Sequence, residues 1–428
     1  MSALVLEADL TWTGEDFAPR LQIALGPDGR IEAVGRLGAT SSTRLPRIAL
    51  LPGFVNVHSH AFQRGLRGHG ESFPAGAGSF WTWREAMYSL VSGLDPVTLR
   101  ALSIQAFSEM RDAGITTVGE FHYVHHERDE DYALDRVLLD AAKAAGIRIV
   151  LLQTFYATGA VGRPLQGAQR RFATPSLDRF VEQLDRLAGR LDPATQSLGV
   201  VAHSIRAAAP EHIRAVFDEA WKRSAPFHIH VEEQRGEIEE SVAAYGRRPM
   251  AVILDALDGR GDFTAVHCTH TAPADMDRFL AAGGRVCLCP LTEGNLGDGI
   301  PRLPQTDLAR TRLCLGTDSN ARLSVLEDMR WLEYGQRLRG EMRGALADGN
   351  GRVATTLLAA ATEGGARALG LDTGRIAPGS WGDLVAIRLD SQSLAGIPVA
   401  RLPEGLVFGA GNDVIAGTYV GGRWRASS

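Results

Sequence analysis

Lysine is scarce in this chain of 428 residues, since only Lys143 and Lys222 occur among its 45 basic residues. Cysteine is also rare. Its four copies lie in apolar stretches without a Cys-x-x-Cys pair, at Cys268, Cys287, Cys289 and Cys314. This pattern predicts buried free thiols and argues against disulfides or a cysteine-type zinc site.

Long hydrophobic runs and basic stripes are missing as well. No apolar run reaches the roughly 18 residues of a membrane span. The first residues lack the basic segment and the long apolar segment of a signal peptide. The net charge is −5, and 45% of the residues are hydrophobic, as in ordinary soluble domains. We therefore expect a cytoplasmic protein without membrane or nucleic-acid partners.

Short apolar or β-branched runs alternate with segments of helical period after residue 50. Apolar residues at helical spacing occur at 99–110 and 177–191, for example. Eight runs read as strands, at 48–58, 115–121, 147–154, 198–203, 227–231, 263–267, 285–289 and 312–315. Strict alternation implies parallel strands, and eight of them favour a closed (β/α)8 barrel of the α/β class.

The two ends of the chain differ from this middle part. Both carry short alternating runs and turn signals that are typical of hairpins. We predict a small β-sandwich domain formed from residues 1–50 and 370–428, and a barrel domain over 51–369.

Polar residues close several of the predicted strands, where a barrel enzyme carries its active site. His58 and His60 close the first run, His230 lies in the fifth, His267 ends the sixth and Asp318 follows the eighth. A single His-x-His pair is more often structural, and an aspartate after Gly-Thr is often a helix cap. Their joint occurrence at four strand ends instead favours a zinc or iron(II) site.

Residue types at these positions predict a hydrolytic mechanism. A metal held by His58, His60, His230 and Asp318 would generate a hydroxide nucleophile from water. Glu233 is suited to carry a proton from that water to a leaving nitrogen, and His267 to polarise the group under attack. Asp318 is also a candidate acceptor for a water proton.

The number of metal ions follows from the lysines. Two-metal barrel hydrolases often bridge their ions through a carboxylated lysine at a strand end. Lys143 and Lys222 lie in helical segments, so we predict one metal ion per chain.

Several segments together resemble the amidohydrolase superfamily, in its mononuclear aminohydrolase branch. They are PGFVNVHSH, the His230-x-x-Glu233 pair, His267 and the GTDS around Asp318. A narrower resemblance, to the N-formimidoyl-L-glutamate deiminases, comes from HSHAFQRGLRG, FWTWREAMY, EFHYVHH, HSIRA and HVEEQRGEIEE. It implies hydrolysis of N-formimino-L-glutamate to N-formyl-L-glutamate and ammonia, as in histidine degradation.

The same resemblance implies the roles of individual residues. Zn²⁺, with Fe²⁺ as the alternative, would be bound by His58, His60, His230 and Asp318, and Glu233 and His267 would transfer protons. Substrate contacts would come from Gln63, Arg84, Tyr123, His203 and Arg206. The resemblance also implies a homodimer.

Two of these residues agree with the implied substrate. Glutamate carries two carboxylates, and guanidinium groups bind carboxylates bidentately. Arg84 and Arg206 are both predicted to lie above the metal. The alternative is another aminohydrolase of this branch, acting on a purine or a triazine, which would need fewer arginines and more stacking surface. A barrel that has lost its chemistry would lack some of the ligands, and none is missing.

Some assignments stay open from the sequence. Trp81, Trp83 and Tyr88 could wall the pocket or form a dimer contact. His125 and His126 are expected behind the site or at the surface, and His270 is a rival for the role of His267. The insert 63–95 contains glycines that would permit motion as a lid.

Overall fold

The computed structural model describes residues 4–39, 42–69, 71, 73, 78–128 and 131–427. Its strands are β1 (Leu4–Trp12), β2 (Phe17–Pro19), β3 (Gln22–Leu25), β4 (Ile31–Gly35), β5 (Ser42–Pro52), β6 (Phe54–Ser59), β7 (Ile115–His122), β8 (Arg148–Phe155), β9 (Gln196–Ser204), β10 (Phe227–Val231), β11 (Thr264–His267), β12 (Arg285–Leu288), β13 (Leu313–Leu315), β14 (Leu384–Arg388), β15 (Ile415–Val420) and β16 (Arg423–Ala426).

The helices lie mostly between and after the strands of the middle region. They are α1 (Phe80–Gly93), α2 (Pro96–Asp112), α3 (Asp135–Ala145), α4 (Leu177–Ala188), α5 (Pro210–Lys222), α6 (Arg235–Tyr245), α7 (Pro249–Ala256), α8 (Pro273–Ala281), α9 (Pro290–Leu296), α10 (Asp307–Thr311), α11 (Val325–Gly340), α12 (Val353–Ala359), α13 (Gly365–Ala368) and α14 (Leu402–Gly409). A π-helical turn at Ala360–Gly364 joins α12 to α13, and short 3₁₀ turns occur at Ala61–Leu66, Gly167–Phe172, Val399–Arg401 and Asn412–Val414.

Strands β6 to β13 form one parallel sheet in which sequential strands are neighbours. The two edge strands meet, because the Thr317 and Asp318 amides donate to the His58 carbonyl oxygen at 3.0 and 2.9 Å. Gly316 permits this approach, since a Cβ there would lie 2.8 Å from the Cβ of His58. The predicted (β/α)8 barrel is confirmed, and its strand ends converge on one rim.

A second, mixed sheet is built from both ends of the chain. Its order is β16-β15-β14-β5-β1-β3-β4, with β2 paired to β1. A small apolar core lies on it and includes Leu6, Ile23, Ile31 and Leu384. The predicted module from both termini is therefore present, as one eight-stranded sheet.

One predicted strand divides in two. The run 48–58 covers the end of β5, in the terminal sheet, and most of β6, in the barrel. The break falls at Gly53, where a Cβ would lie 2.1 Å from the Oγ1 of Thr116. Close packing against β7 thus requires glycine at the point where the chain passes from one sheet to the other.

A buried ion pair joins the two sheets. Arg148, at the start of β8, donates from Nε and Nη2 to the Asp383 carboxylate at 2.7 and 3.1 Å. Asp383 precedes β14 and also accepts from the Gly421 amide at 2.7 Å. Because a bidentate guanidinium–carboxylate pair fixes orientation, this contact sets how the terminal sheet sits on the barrel.

Two further expectations concern the whole chain. All four cysteines are buried free thiols, as their apolar surroundings predicted. Among the described residues, no helix has both the length and the apolar character needed to cross a membrane.

Candidate metal centre and active site

Three imidazoles and one carboxylate converge at the carboxyl ends of β6, β10 and β13. We call His58, His60, His230 and Asp318 the inner cluster. The Nε2 atoms of His58 and His230 lie 3.2 Å apart. Asp318 Oδ1 lies 3.4 Å from the Nε2 atoms of both His58 and His60. The structure thus brings together the four predicted metal ligands.

The orientation of two rings leaves their lone pairs directed into this cluster. His60 donates from Nδ1 to the Phe121 carbonyl oxygen at 2.8 Å, and His230 donates from Nδ1 to the His203 carbonyl oxygen at 2.9 Å. A neutral imidazole that donates from one nitrogen presents a lone pair on the other. Such backbone contacts are the usual way in which a metal-binding histidine is oriented.

Three of the separations between these atoms fit a tetrahedral ion. Ligands about 2.0 Å from a tetrahedral zinc lie roughly 3.3 Å from one another. The three separations of 3.2, 3.4 and 3.4 Å match that value. Nitrogen and carboxylate donors of this kind suit zinc or iron(II). The inner cluster could therefore hold a single divalent ion.

Burial keeps the three imidazoles neutral. Burial and the neighbouring His58 lower the pKa of His60 to about 3, against the opposing effect of Asp318. Burial and adjacent histidines also lower the pKa of His58 and of His230 well below the usual value. A metal ligand must be unprotonated, so these shifts favour metal binding at neutral pH.

His267 differs from the other histidines at this rim. Its Nδ1 donates to Glu293 Oε1 at 3.3 Å, and its Nε2 lies 3.8 Å from Asp318 Oδ2. Burial lowers the pKa of His267, but Glu233, Glu293 and Asp318 together raise it to about 10. A ring that keeps both protons can donate to a group placed above the inner cluster.

The backbone at two of these strand ends is unusual. His267 has φ +73° and Asp318 has φ +48°, in the left-handed region that non-glycine residues rarely adopt. The Asp318 carbonyl oxygen accepts from the His60 amide at 2.9 Å, which holds this conformation. Strain of this kind concentrates at functional sites, where the surrounding structure fixes side-chain direction.

One cavity lies over the inner cluster. The structure places all seven further residues of the predicted site around it, together with Asp318: Gln63, Arg84, Tyr123, His203, Arg206, Glu233 and His267. Phe80 and Tyr156 complete its aromatic walls. His228, on β10 as well, donates to the Ala368 carbonyl oxygen at 2.8 Å and does not line the cavity.

The two arginines of this cavity have different surroundings. In the described part of the chain, no carboxylate lies within ion-pair distance of Arg84, whose Nε donates to the Tyr88 hydroxyl at 2.5 Å. Arg206 is buried and donates from Nη2 to Glu233 Oε2 at 3.3 Å. Its Nε lies 3.8 Å from Glu237 Oε2. Arg84 is thus free to bind an anion, whereas Arg206 already faces two carboxylates.

Comparison with known proteins places this architecture in a family. The sequence profile of the amidohydrolase family matches residues 49–425. The chain belongs to the amidohydrolase family. It is 39% identical to the formimidoylglutamate deiminase of Pseudomonas aeruginosa, over 99% of this chain and 94% of that protein.

Solved amidohydrolase structures agree with the fold. An amidohydrolase from Brucella melitensis is 30% identical, with a TM-score of 0.86 over 99% of this chain and 96% of its own. An adenosine deaminase from Xanthomonas campestris, solved with bound zinc, is 24% identical, with a TM-score of 0.81 over 99% and 92% of the two chains. The latter likeness concerns the fold alone.

Several questions that the sequence left open concern the rim of this amidohydrolase. Trp83 and Tyr88 line the cavity, whereas Trp81 is 45% exposed and lies outside it. His270 lines a separate surface pocket, which favours His267 for the role at the site. His125 and His126 are buried behind the barrel strands and are not surface residues.

Part of the predicted lid segment, the insert 63–95, lies among the described residues. Helix α1 carries Arg84 over the cavity. Gly70 and Gly76 of the insert 63–95 lie outside the described residues, together with residues 72, 74, 75 and 77. Whether the insert moves as a lid stays a prediction.

Sequence reasoning missed two carboxylates that contact the predicted site. Glu293, in the first turn of α9, accepts from His267. Glu237, in α6, faces Arg206. Glu293 follows the seventh predicted run by only four residues, so its place after a strand end was an available signal. Nothing in the helical pattern around Glu237 distinguishes it from Glu239 and Glu240.

Proposed function

We propose that this amidohydrolase hydrolyses N-formimino-L-glutamate to N-formyl-L-glutamate and ammonia. One observation carries the proposal: a single cavity joins the inner cluster to Arg84 and Arg206. The named activity of the Pseudomonas aeruginosa relative supports it. In this reaction one water adds to the formimino carbon, its oxygen becomes the formyl oxygen, and both its hydrogens leave on ammonia.

The inner cluster would hold the metal, which we propose to be one zinc ion per chain, with iron(II) as the alternative. A divalent ion bound there would lower the pKa of a water molecule and polarise the formimino group. Both lysines support a single ion, because Lys143 on α3 pairs with Asp192 at 3.4 Å and Lys222 on α5 pairs with Glu219 at 3.4 Å. Neither lysine lines the cavity.

Proton transfer falls to three residues around the cavity. Glu233 accepts a proton from the attacking water and delivers it to the departing nitrogen. Asp318 accepts the second water proton as the C–N bond breaks and passes it to the departing nitrogen, which leaves as ammonia. His267, held through Nδ1 by Glu293, donates from its other nitrogen to the group under attack.

Recognition of the two substrate carboxylates falls to two arginines that line the same cavity. Arg84 and Arg206 would each bind one carboxylate through their guanidinium groups. Gln63 donates from Nε2 to the Tyr123 hydroxyl at 3.1 Å. This pair and His203 line the cavity and can orient the part of the substrate that lies between its two carboxylates. A purine or triazine would leave the charge of Arg84 without a partner, which costs binding energy.

The deciding experiment is an assay of ammonia release. We expect activity on N-formimino-L-glutamate, less on N-formimino-L-aspartate, and none on guanine or adenosine. Treatment with a chelator should abolish the activity and added zinc should restore it. Hydrolysis of a nucleobase without hydrolysis of formiminoglutamate would overturn the proposal.

Two arginine variants test carboxylate recognition directly. Arg84→Met and Arg206→Met should each lower kcat/KM by on the order of 10²-fold or more, since removing one partner of a buried charge pair costs about 3 to 5 kcal/mol. Arg163→Met is the matched control, because Arg163 is exposed and lines only the outer groove beside Arg84. Unchanged kinetics in both pocket variants would contradict the substrate assignment.

The proposal also includes the oligomeric state and the location of the protein in the cell. The family resemblance implies a homodimer in the cytoplasm. Analytical ultracentrifugation at several concentrations tests the dimer, and a monomer at every concentration would contradict it.

A further inference from the structure

Arg206 is shared between two glutamates, and only one of them has a part in the proposed reaction. Its Nη2 donates to Glu233 Oε2 at 3.3 Å, while its Nε lies 3.8 Å from Glu237 Oε2. Among the described residues, neither Arg206 Nε nor Glu237 Oε2 has a hydrogen-bond partner, and both atoms are buried. The guanidinium is therefore held on one side by a hydrogen bond and on the other by charge alone.

Glu237 is fixed in place independently of Arg206. The Glu232 amide donates to its Oε1 at 3.2 Å, which anchors the carboxyl to the turn between β10 and α6. The side chain is fully buried in α6. Its second oxygen, Oε2, lies on the side of Arg206, 3.8 Å from Nε.

The other charges around Glu237 do not neutralise it. Glu232 pairs with Arg248, whose Nε lies 3.4 Å from Glu232 Oε1, so these two balance each other. Glu233 adds a second negative charge beside Arg206. If both Glu233 and Glu237 are ionised, one guanidinium faces two carboxylates before any substrate binds.

A dicarboxylate substrate would add to the negative charge around Arg206. Its carboxylate on Arg206 would be the third negative group around one positive charge, in a site shielded from water. Burial and the nearby Glu233 raise the pKa of Glu237 to about 7, against the opposing effect of Arg206. A proton on Glu237 would relieve the repulsion, and burial makes that protonation accessible near neutral pH.

We propose that Glu237 is a positioning residue for substrate recognition. It holds the Arg206 guanidinium in the free enzyme and takes up one proton from solvent when a substrate carboxylate binds to Arg206. The inference rests on the proposed dicarboxylate substrate.

Binding of the product tests this inference without turnover. N-formyl-L-glutamate is titrated into the zinc-loaded enzyme by calorimetry at about pH 8, in phosphate and in Tris, whose ionisation enthalpies differ. Because Glu237 is mostly ionised at that pH, we expect uptake approaching one proton per molecule bound. In Glu237→Gln, which keeps the acceptor for the Glu232 amide, the uptake should fall close to zero.

Kinetics give a second readout. In the wild type, KM for formiminoglutamate should rise by about tenfold between about pH 6 and pH 8, because ionised Glu237 competes for Arg206. In Glu237→Gln this rise should disappear. Glu239→Gln, an exposed neighbour on α6, is the matched control and should behave as the wild type.

The outcomes separate this inference from the proposed function. Product binding to the wild type without proton uptake overturns the role of Glu237, whether or not the variant folds. Equal uptake in wild type and Glu237→Gln overturns it as well. Absence of product binding together with absence of formiminoglutamate hydrolysis instead overturns the proposed function.

Discussion

Two separate buried clusters of histidine and aspartate in this molecule could be mistaken for each other. The inner cluster lies at the rim of the barrel. The outer cluster consists of His122 and His125, at and after the end of β7, and Asp135, at the start of α3. His58, His60 and Asp318 of the inner cluster, like the three residues of the outer cluster, offer buried ligand atoms that lie within 4.8 Å of one another. Residue types and proximity therefore do not distinguish them.

Hydrogen bonding does distinguish them. Asp135 Oδ1 accepts from His122 Nε2 at 3.0 Å and from His125 Nδ1 at 2.8 Å. Asp135 Oδ2 accepts from Gln153 Nε2 at 2.5 Å and from Gln183 Nε2 at 2.9 Å. The second nitrogen of His125 donates to the Thr154 carbonyl oxygen at 2.7 Å. Both oxygens of this carboxylate are already used by donors.

In the inner cluster, by contrast, acceptor atoms face one another. The imidazoles of His58 and His230 face each other through Nε2, and the Asp318 carboxylate faces two ring nitrogens whose pKa values burial lowers. In the outer cluster, burial opposes but His125 and His122 hold the pKa of Asp135 below its usual range. A cation would complete the first arrangement, whereas donors have already completed the second.

The largest expected effect separates the two clusters by activity. Asp318→Asn removes a ligand charge and a proton acceptor from the inner cluster, so kcat/KM should fall by on the order of 10⁴-fold. Metal analysis should find the variant largely free of zinc after dialysis. Asp135→Asn is the matched control and should retain its zinc. A zinc-loaded and active Asp318→Asn would remove the distinction between the clusters.

The next effect is expected in stability and not in metal content. Asp135→Asn leaves His125 donating from both nitrogens without an ionised partner, and breaking a buried charge pair costs about 3 to 5 kcal/mol. Urea unfolding of the zinc-loaded proteins measures this difference. Loss of zinc from Asp135→Asn with unchanged stability would show that the outer cluster binds metal after all.

Much of the inner cluster could be predicted from the sequence because its residues close apolar runs. Strand alternation and the single functional rim of a barrel bring such residues together without further information. His58, His60 and Asp318 lie at or just after the ends of such runs, and His230 lies one residue before the end of the fifth run. The barrel itself was predictable for the same reason, apart from the break at Gly53, which depends on a neighbouring strand.

The outer cluster could not be predicted in this way. Asp135 begins a helix, Gln153 lies within β8 and Gln183 lies within α4, so their meeting depends on how helices pack on the barrel. Of the residues in the outer cluster, only His125 drew a prediction from the sequence, namely a place behind the site or at the surface. Glu237 and Glu293 lie on helices too, and only the packed structure shows that they face Arg206 and His267.

A smaller loss of activity should show that Glu293 lies outside the metal centre. Glu293→Gln removes the charged acceptor that orients His267, and loss of such an orienting partner lowers activity by about 10- to 100-fold. We expect the loss in kcat with KM nearly unchanged, because Glu293 lies behind His267 and contacts no predicted substrate group. Zinc content should stay at the wild-type level. Loss of zinc would instead make Glu293 part of the metal centre.

The smallest effect tests whether the outer cluster owes its stability to surplus donors. Gln183→Met keeps the length of the side chain but removes one neutral donor to Asp135 Oδ2, while Gln153 still donates to the same oxygen. Because a remaining donor satisfies this oxygen, the change should lower the free energy of unfolding by only about 1 kcal/mol. Urea unfolding measures it beside Asp135→Asn. A loss of stability as large as that of Asp135→Asn would mean that Asp135 depends on every one of its donors. The outer cluster would then have no surplus hydrogen bonds.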